Sequence, residues 1–215
     1  MTGLYITKNK KIMLRDKWKD AFDFEDKNLC NSLNNLKVVR IIQEINSDVR
    51  GKVTPTSIGG ANYFVTFIDD ATIYTWVYFL KTKDEVFAKF VEWKTIVEKQ
   101  FDKCVKIIRS DNGGEYTSTN FANYLRKEGI KQEFTMKKTP EQNGVAERMN
   151  RSLIESIRCM LSDSKLKKPF WAEALNTAVY VKNRSPATAL KDQTPFEALF
   201  GYKPSVKHFI WMHLS

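Results

Sequence analysis

The stretch CVKIIRSDNGGEY, residues 104–116, runs an apolar segment into a carboxylate and then into a turn. Val105, Ile107 and Ile108 are the β-branched residues that suit the pleated, half-buried surface of a sheet. Asp111 stands where that strand ends, and Asn112, Gly113 and Gly114 follow as a turn signal. An acid at this place draws attention because α/β sheets hold their ligands at the carboxyl ends of strands. Two readings stand side by side: a turn that needs glycines, and a metal-binding aspartate with open space beside it.

Working outward, the apolar run VVRIIQEI (38–45) reads as a first strand and is followed by turn-rich text, NSDVRGKVTPTSIGG. NYFVTFID and YTWVYFL, separated by a short break, read as the two strands of a hairpin. In TKDEVFAKFVEWKTIVEKQ the apolar residues Val86, Phe87, Phe90, Trp93, Ile96 and Val97 recur at helical spacing. After the fourth strand at CVKIIR, STNFANYLRKEG has a Ser/Thr start and a glycine stop and reads as a helix. IKQEFT is a fifth strand, a long helix spans roughly Gln142 to Leu161, and PFWAEALNTAVYVKNR opens a last helix on a proline. Three strands followed by alternating helices and strands predict an α/β fold, a mixed five-stranded sheet flanked by helices. The expected organisation is a poorly patterned extension over 1–37, a core over 38–207 and a short tail over 208–215.

The bulk properties narrow the chemistry. The chain has 215 residues, ample for a buried core, and its 42% hydrophobic content is that of a globular protein. No apolar run approaches the ~20 residues of a membrane span, and the N-terminal text does not read as a signal peptide. Cys30, Cys104 and Cys159 are scattered and odd in number, which predicts a reducing compartment and no disulfide framework. The only histidines are His208 and His213, so no His/Cys zinc cluster is expected and any metal must be held by oxygen. Net charge is +10, and residues 151–215 carry ten basic against five acidic side chains, a surplus that suits a polyanionic partner such as nucleic acid. Ordinary surface charge for solubility is the plain alternative.

On the long helix, Ala146, Met149, Leu153, Ile157 and Met160 form the apolar stripe, while Glu147, Asn150, Arg151 and Arg158 fall on another side. A glutamate in such a position is ordinarily solvated surface. A third acid is needed for a divalent ion pair, and Asp48, Asp69 and Asp70 are the candidates. The first strand of such a sheet runs beside the fourth, which favours Asp48 as the neighbour of Asp111. Asp69 and Asp70 end a hairpin strand and suit its turn.

SDVRGK, RSDNGGEY and TPEQNGVAERMNR together resemble the three signature blocks of the copia-type retrotransposon integrase catalytic core, within the retroviral integrase superfamily. Thirty-five residues lie between Asp111 and Glu147, as in the family's acidic signature. GGANYFVTFIDD, WVYFLKTKDEVF, FWAEALNTAVYVKNRSP and TPFEALFGYKPSV are similar to the same family, and the resemblance covers about residues 38–207. It implies a ribonuclease H-like fold and an acidic triad of Asp48, Asp111 and Glu147 as catalytic residues and metal ligands. It also implies two Mg²⁺ ions, with Mn²⁺ as a substitute, serving 3′-end processing and strand transfer. Lys137, Lys138, Asn143, Arg151 and Arg158 are candidate DNA contacts, and the implied partners are transposon ends, target DNA and further copies of the chain, with no membrane. A nuclear site of action, with a cytoplasmic particle stage, follows from that chemistry.

The chain departs from the family pattern at several positions. Asn46 and Arg50 stand where the family often has His and Cys, Ala71-Thr72-Ile73 where it has Tyr-Ser-Arg, and Lys137-Lys138 where it has Pro and an aromatic. None removes an acidic ligand. The upstream His/His/Cys/Cys module has no counterpart in residues 1–37, and the text after Val206 stops short of the family's C-terminal DNA-binding region, so a core without its wings is expected. A catalytically silent, transposon-derived DNA-binding or assembly protein is the alternative. A ribonuclease H-type nuclease is a third, against which the TPEQNGVAERMNR text argues.

Overall fold

The computed structural model describes residues 42–135 and 140–205, the latter without the side chains of 140–143, together with the backbone of 3–6 and 12–15. Strands β1 (Gly3–Ile6) and β2 (Ile12–Arg15) pair antiparallel in a small sheet of their own. The main sheet holds β3 (Glu44–Gly51), β4 (Tyr63–Asp69), β5 (Thr75–Leu80), β6 (Ile107–Ser110) and β7 (Lys131–Phe134) in the order β5-β4-β3-β6-β7. The first three form an antiparallel meander, and β6 and β7 join β3 in parallel. The expected mixed five-stranded sheet is therefore what the chain forms.

Both faces of the sheet are covered, and the pleat sorts the side chains between them. On β4, Val65 and Phe67 face one side, where Phe67 stacks on Trp93 of helix α1 (Val86–Phe101) at 4.7 Å between ring centroids. Helices α2 (Gly114–Thr117) and α3 (Thr119–Glu128) add Tyr116, Phe121 and Leu125 to this core. Phe64 and Ile68 face the other side, against Ala146, Met149, Leu153 and Ile157 of α4 (Pro140–Asp163) and Leu175 and Ala178 of α5 (Trp171–Arg184). The apolar stripe expected on the long helix is the one it buries. A short α6 (Pro195–Phe200), capped by Thr194, seals the first core with Leu199.

One strand is displaced from its expected place. The sequence puts the first strand of the sheet at 38–45, yet β3 begins at Glu44 and carries Asn46, Ser47 and Asp48 in its buried middle. Residues 38–41 lie outside the described residues. The apolar run misleads because β3 sits at the centre of the sheet, where polar side chains are tolerated only when partners are supplied. Here they are: Asn46 donates to Asp70 Oδ1 at 2.9 Å, Ser47 bonds the Tyr116 hydroxyl at 2.6 Å, and Asp48 accepts from Asn150 at 2.9 Å. Asp48 therefore lies within a strand and does not follow one. At its end, Gly51 adopts φ +133, and a Cβ there would stand 2.6 Å from the Asn62 carbonyl oxygen, so glycine is required.

The β4–β5 turn is closed as its acids suggest. Asp69 Oδ2 accepts from the backbone and hydroxyl of Thr72 at 2.9 and 2.6 Å. Burial pushes its carboxyl above the usual range, with the Thr72 donors opposing and the Asp70 charge adding to the rise. Among the described residues no helix is long and apolar enough to cross a membrane.

Candidate active site

Asp48 is placed by the pleat of β3. Asn46, Asp48 and Arg50 alternate with Ser47 and Val49, which turn towards the opposite core, so Asp48 points to the side covered by α4. There Asn150, fully buried on α4, donates its Nδ2 to Asp48 Oδ2. The Thr66 hydroxyl, directly across the ladder from Asp48, bonds Asn150 Oδ1 at 3.2 Å and so fixes which way the amide faces. The Arg50 Nε reaches back to the same Oδ2 at 2.8 Å, a charge contact without hydrogen-bond alignment. Burial raises the Asp48 pKa, Asn150 and Arg50 work against the rise, and the nearby charge of Asp111 adds to it.

Asp111 follows directly on β6. The parallel register pairs Asn46 with Arg109, and two residues further along each strand stand Asp48 and Asp111. Asp111 is exposed and its Oδ1 accepts from the Gly113 amide at 3.2 Å. The glycines here act differently from one another. A Cβ on Gly113 would come within 2.8 Å of Glu115 Oε2 and 3.0 Å of Asp111 Oδ1, so this glycine makes room for the chain's own carboxylates. Gly114 has nothing within 4 Å of that position and faces open space. Below the loop, the Tyr116–Ser47 bond ties α2 to β3, and burial drives the Tyr116 hydroxyl well above its ordinary pKa. Gln132 of β7 donates to the Tyr116 carbonyl at 2.9 Å, fastening the same loop to the sheet edge.

Glu147 stands on the exposed side of α4 in a cleft of about 370 Å³, lined also by Arg50, Arg151, Ile154, Glu155 and Arg158. Helical spacing brings Glu147, Arg151 and Arg158 to this one opening, as the sequence suggests. Lys137 and Lys138 lie outside the described residues, and Asn143 is described only as part of α4.

Residues 43–140 match the family model described as "Integrase core domain". The chain is 47% identical over 170 residues to the retrovirus-related Pol polyprotein from transposon TNT 1-94 of Nicotiana tabacum, covering 79% of this chain and 13% of that protein. It is 39% identical over 149 residues to the Pol polyprotein from transposon RE2 of Arabidopsis thaliana, 69% of this chain and 10% of the relative. The chain holds a copia-type integrase core. In fold it resembles a chain of the simian T-cell lymphotropic virus intasome, solved by cryo-electron microscopy with PP2A regulatory subunit B56 gamma. The TM-score is 0.59 at 16% identity, over 82% of this chain and 60% of that one. The fold is thus the ribonuclease H-like one. The integrase core described here spans about a tenth of the length of its curated relatives.

Integrase cores in general use divalent metal, and the acids of this integrase core are of the right type, since carboxylate oxygens suit such an ion. Asp48 and Asp111 form the near pair. Among the described residues no three His, Cys, Asp or Glu side chains gather closely enough to hold one ion, so Glu147 does not close a ligand shell with them here. Arg50, which lines the Glu147 cleft, instead occupies one oxygen of Asp48. From the sequence, Asn150 falls with Glu147, Arg151 and Arg158 on the side of the long helix away from its apolar stripe. Its burial and its bond to Asp48 make it a positioning residue. Its place three residues after Glu147, at the edge of the apolar stripe, is the signal that allows this.

Proposed function

We propose that this chain is the catalytic core of an enzyme that processes and joins DNA ends, with Asp48, Asp111 and Glu147 as its acidic triad. The observation that carries the reading is the pairing of Asp48, buried in the central strand and held by Asn150, with Asp111 at the same level of the neighbouring parallel strand. The reaction is in-line displacement at phosphorus. A water oxygen attacks the phosphodiester to trim a transposon end, and the DNA 3′-oxygen on the far side leaves. In joining, the freed 3′-hydroxyl attacks a target phosphodiester in the same way.

Asp48, Asp111 and Glu147 would hold two Mg²⁺ or Mn²⁺ ions, which when bound lower the pKa of the attacking oxygen and stabilise the leaving one. The residues of the chain have the remaining work. Asn150 and Thr66 hold Asp48 in one rotamer, so that its carboxylate needs no reorganisation when the phosphate arrives. Tyr116 and Gln132 hold the loop that carries Asp111. Arg151 and Arg158 on the cleft wall, with Lys137, Lys138 and Asn143 before them, contact phosphates and orient the duplex without reading its sequence. Assembly of several copies on DNA is part of this proposal, as is action in the nucleus.

A second reading, a silent DNA-binding protein, is favoured by one observation: the Arg50 cation on Asp48. Metal-dependent cleavage and joining of a labelled duplex, compared between the chain and Asp111→Asn, separates the two. Activity abolished by the substitution supports the enzyme. No activity in either, with DNA binding unchanged between them, supports the silent protein.

A further inference from the structure

We infer that Arg50 is an internal cation that competes with divalent metal for Asp48, so that metal takes up its place only when the guanidinium has moved into the adjoining cleft. The inference rests on the reading of Asp48 as a metal ligand. Its own basis is geometric. Residues i and i+2 of a strand share a face, so Arg50 lies beside Asp48 by the pleat alone. Its Nε stands 2.8 Å from Oδ2, the oxygen that also accepts from Asn150. That oxygen thus has two partners already. A divalent ion brought to it would stand against a positive guanidinium with little solvent between them, since the Asp48 side chain is only 5% exposed.

Arg50 is placed to leave. Its side chain is 39% exposed, against the 5% of its partner, and it also lines the cleft that holds Glu147 and Glu155. Glu155 offers the displaced guanidinium another partner, and a DNA phosphate in the cleft would offer a stronger one. Asn150 does not need to move, because an amide donor and a metal do not compete as like charges. Arg50 therefore links two events, the loading of Asp48 and the filling of the cleft. Metal alone meets an occupied oxygen, whereas phosphate in the cleft draws the occupant away.

The test is Mn²⁺ binding to the full chain, followed by isothermal titration and by the metal-induced rise in melting temperature. Wild type is compared with Arg50→Gln, with Asp48→Asn and with the double variant; Arg50→Ala repeats the comparison with a second side chain. The expected result is an apparent dissociation constant about tenfold lower in Arg50→Gln than in wild type, the scale of one charge-assisted interaction, with the gain abolished in the double variant. Equal affinity in wild type and Arg50→Gln, both abolished by Asp48→Asn, would overturn the competition while leaving Asp48 a ligand. If no variant shows Mn²⁺ binding that depends on Asp48, the ligand reading itself falls and the competition with it.

Discussion

Asn150 shows how one buried side chain can tie a helix to a strand beside the candidate site. It fills the gap between β3 and α4, donating to Asp48 and accepting from Thr66. Asn150→Ala leaves the Thr66 hydroxyl and Asp48 short of partners in a buried place and is expected to cost about 1–3 kcal/mol of stability, measured by urea unfolding. Joining activity should fall more than the loss of folded protein explains. Asp69 gives a pH-dependent prediction of opposite sense. Its folded pKa lies above the ordinary value of 3.8, so the fold favours the protonated form. The stability from this group is present below pH 3.8 and is lost as pH rises through the folded pKa. Asp69→Asn, whose amide oxygen can still accept from Thr72, should therefore melt higher than wild type at pH 7. The difference should shrink as pH falls towards about 4, and a constant difference would count against the assignment. Asp111 and Glu147 could be proposed from the sequence because a strand end marks the first and the resemblance pairs the second with it. Asn150 was legible only as a polar residue, because its partner lies about a hundred residues away on another element.

At the scale of elements, α4 lines the cleft on one side and the core on another. Leu153, buried against Phe64 and Ile68 of β4, should cost about 2–5 kcal/mol when cut to alanine, by calorimetry or denaturant titration. Arg158→Ala, on the exposed side, should change stability by no more than about 0.5 kcal/mol. Helical periodicity made that division readable, since apolar residues at three- and four-residue spacing leave only one face for the core. Strand β3 was readable in type but misplaced, because its buried middle is Asn-Ser-Asp and the apolar text lies before it. Side chains from the β4–β5 turn, α2 and α4 make that strand possible, and no local pattern announces such partners. The short α2 and α6 escaped for a related reason: four and six residues are too few for a period to show.

At the scale of the molecule, the sheet brings Asp48 and Asp111 together from distant parts of the sequence, and α4 turns Glu147, Arg151 and Arg158 into one cleft that Arg50, the neighbour of Asp48, also lines. The uneven charge of the chain, basic over its last third, fits a nucleic-acid partner at this face. DNA affinity should fall linearly with the logarithm of salt concentration. Removing Arg151 and Arg158 together should reduce that slope by about two, near one for each phosphate that is no longer neutralised. A slope unaffected by both changes would place the duplex elsewhere on the protein.

The most direct test of the triad is the anomalous scattering of Mn²⁺ in crystals of the chain bound to a short duplex. The predicted result is metal peaks beside the carboxylates of Asp48, Asp111 and Glu147, with the Arg50 guanidinium off Asp48. Metal bound only at other carboxylates, with Asp48 still paired to Arg50 on fully seated DNA, would contradict it.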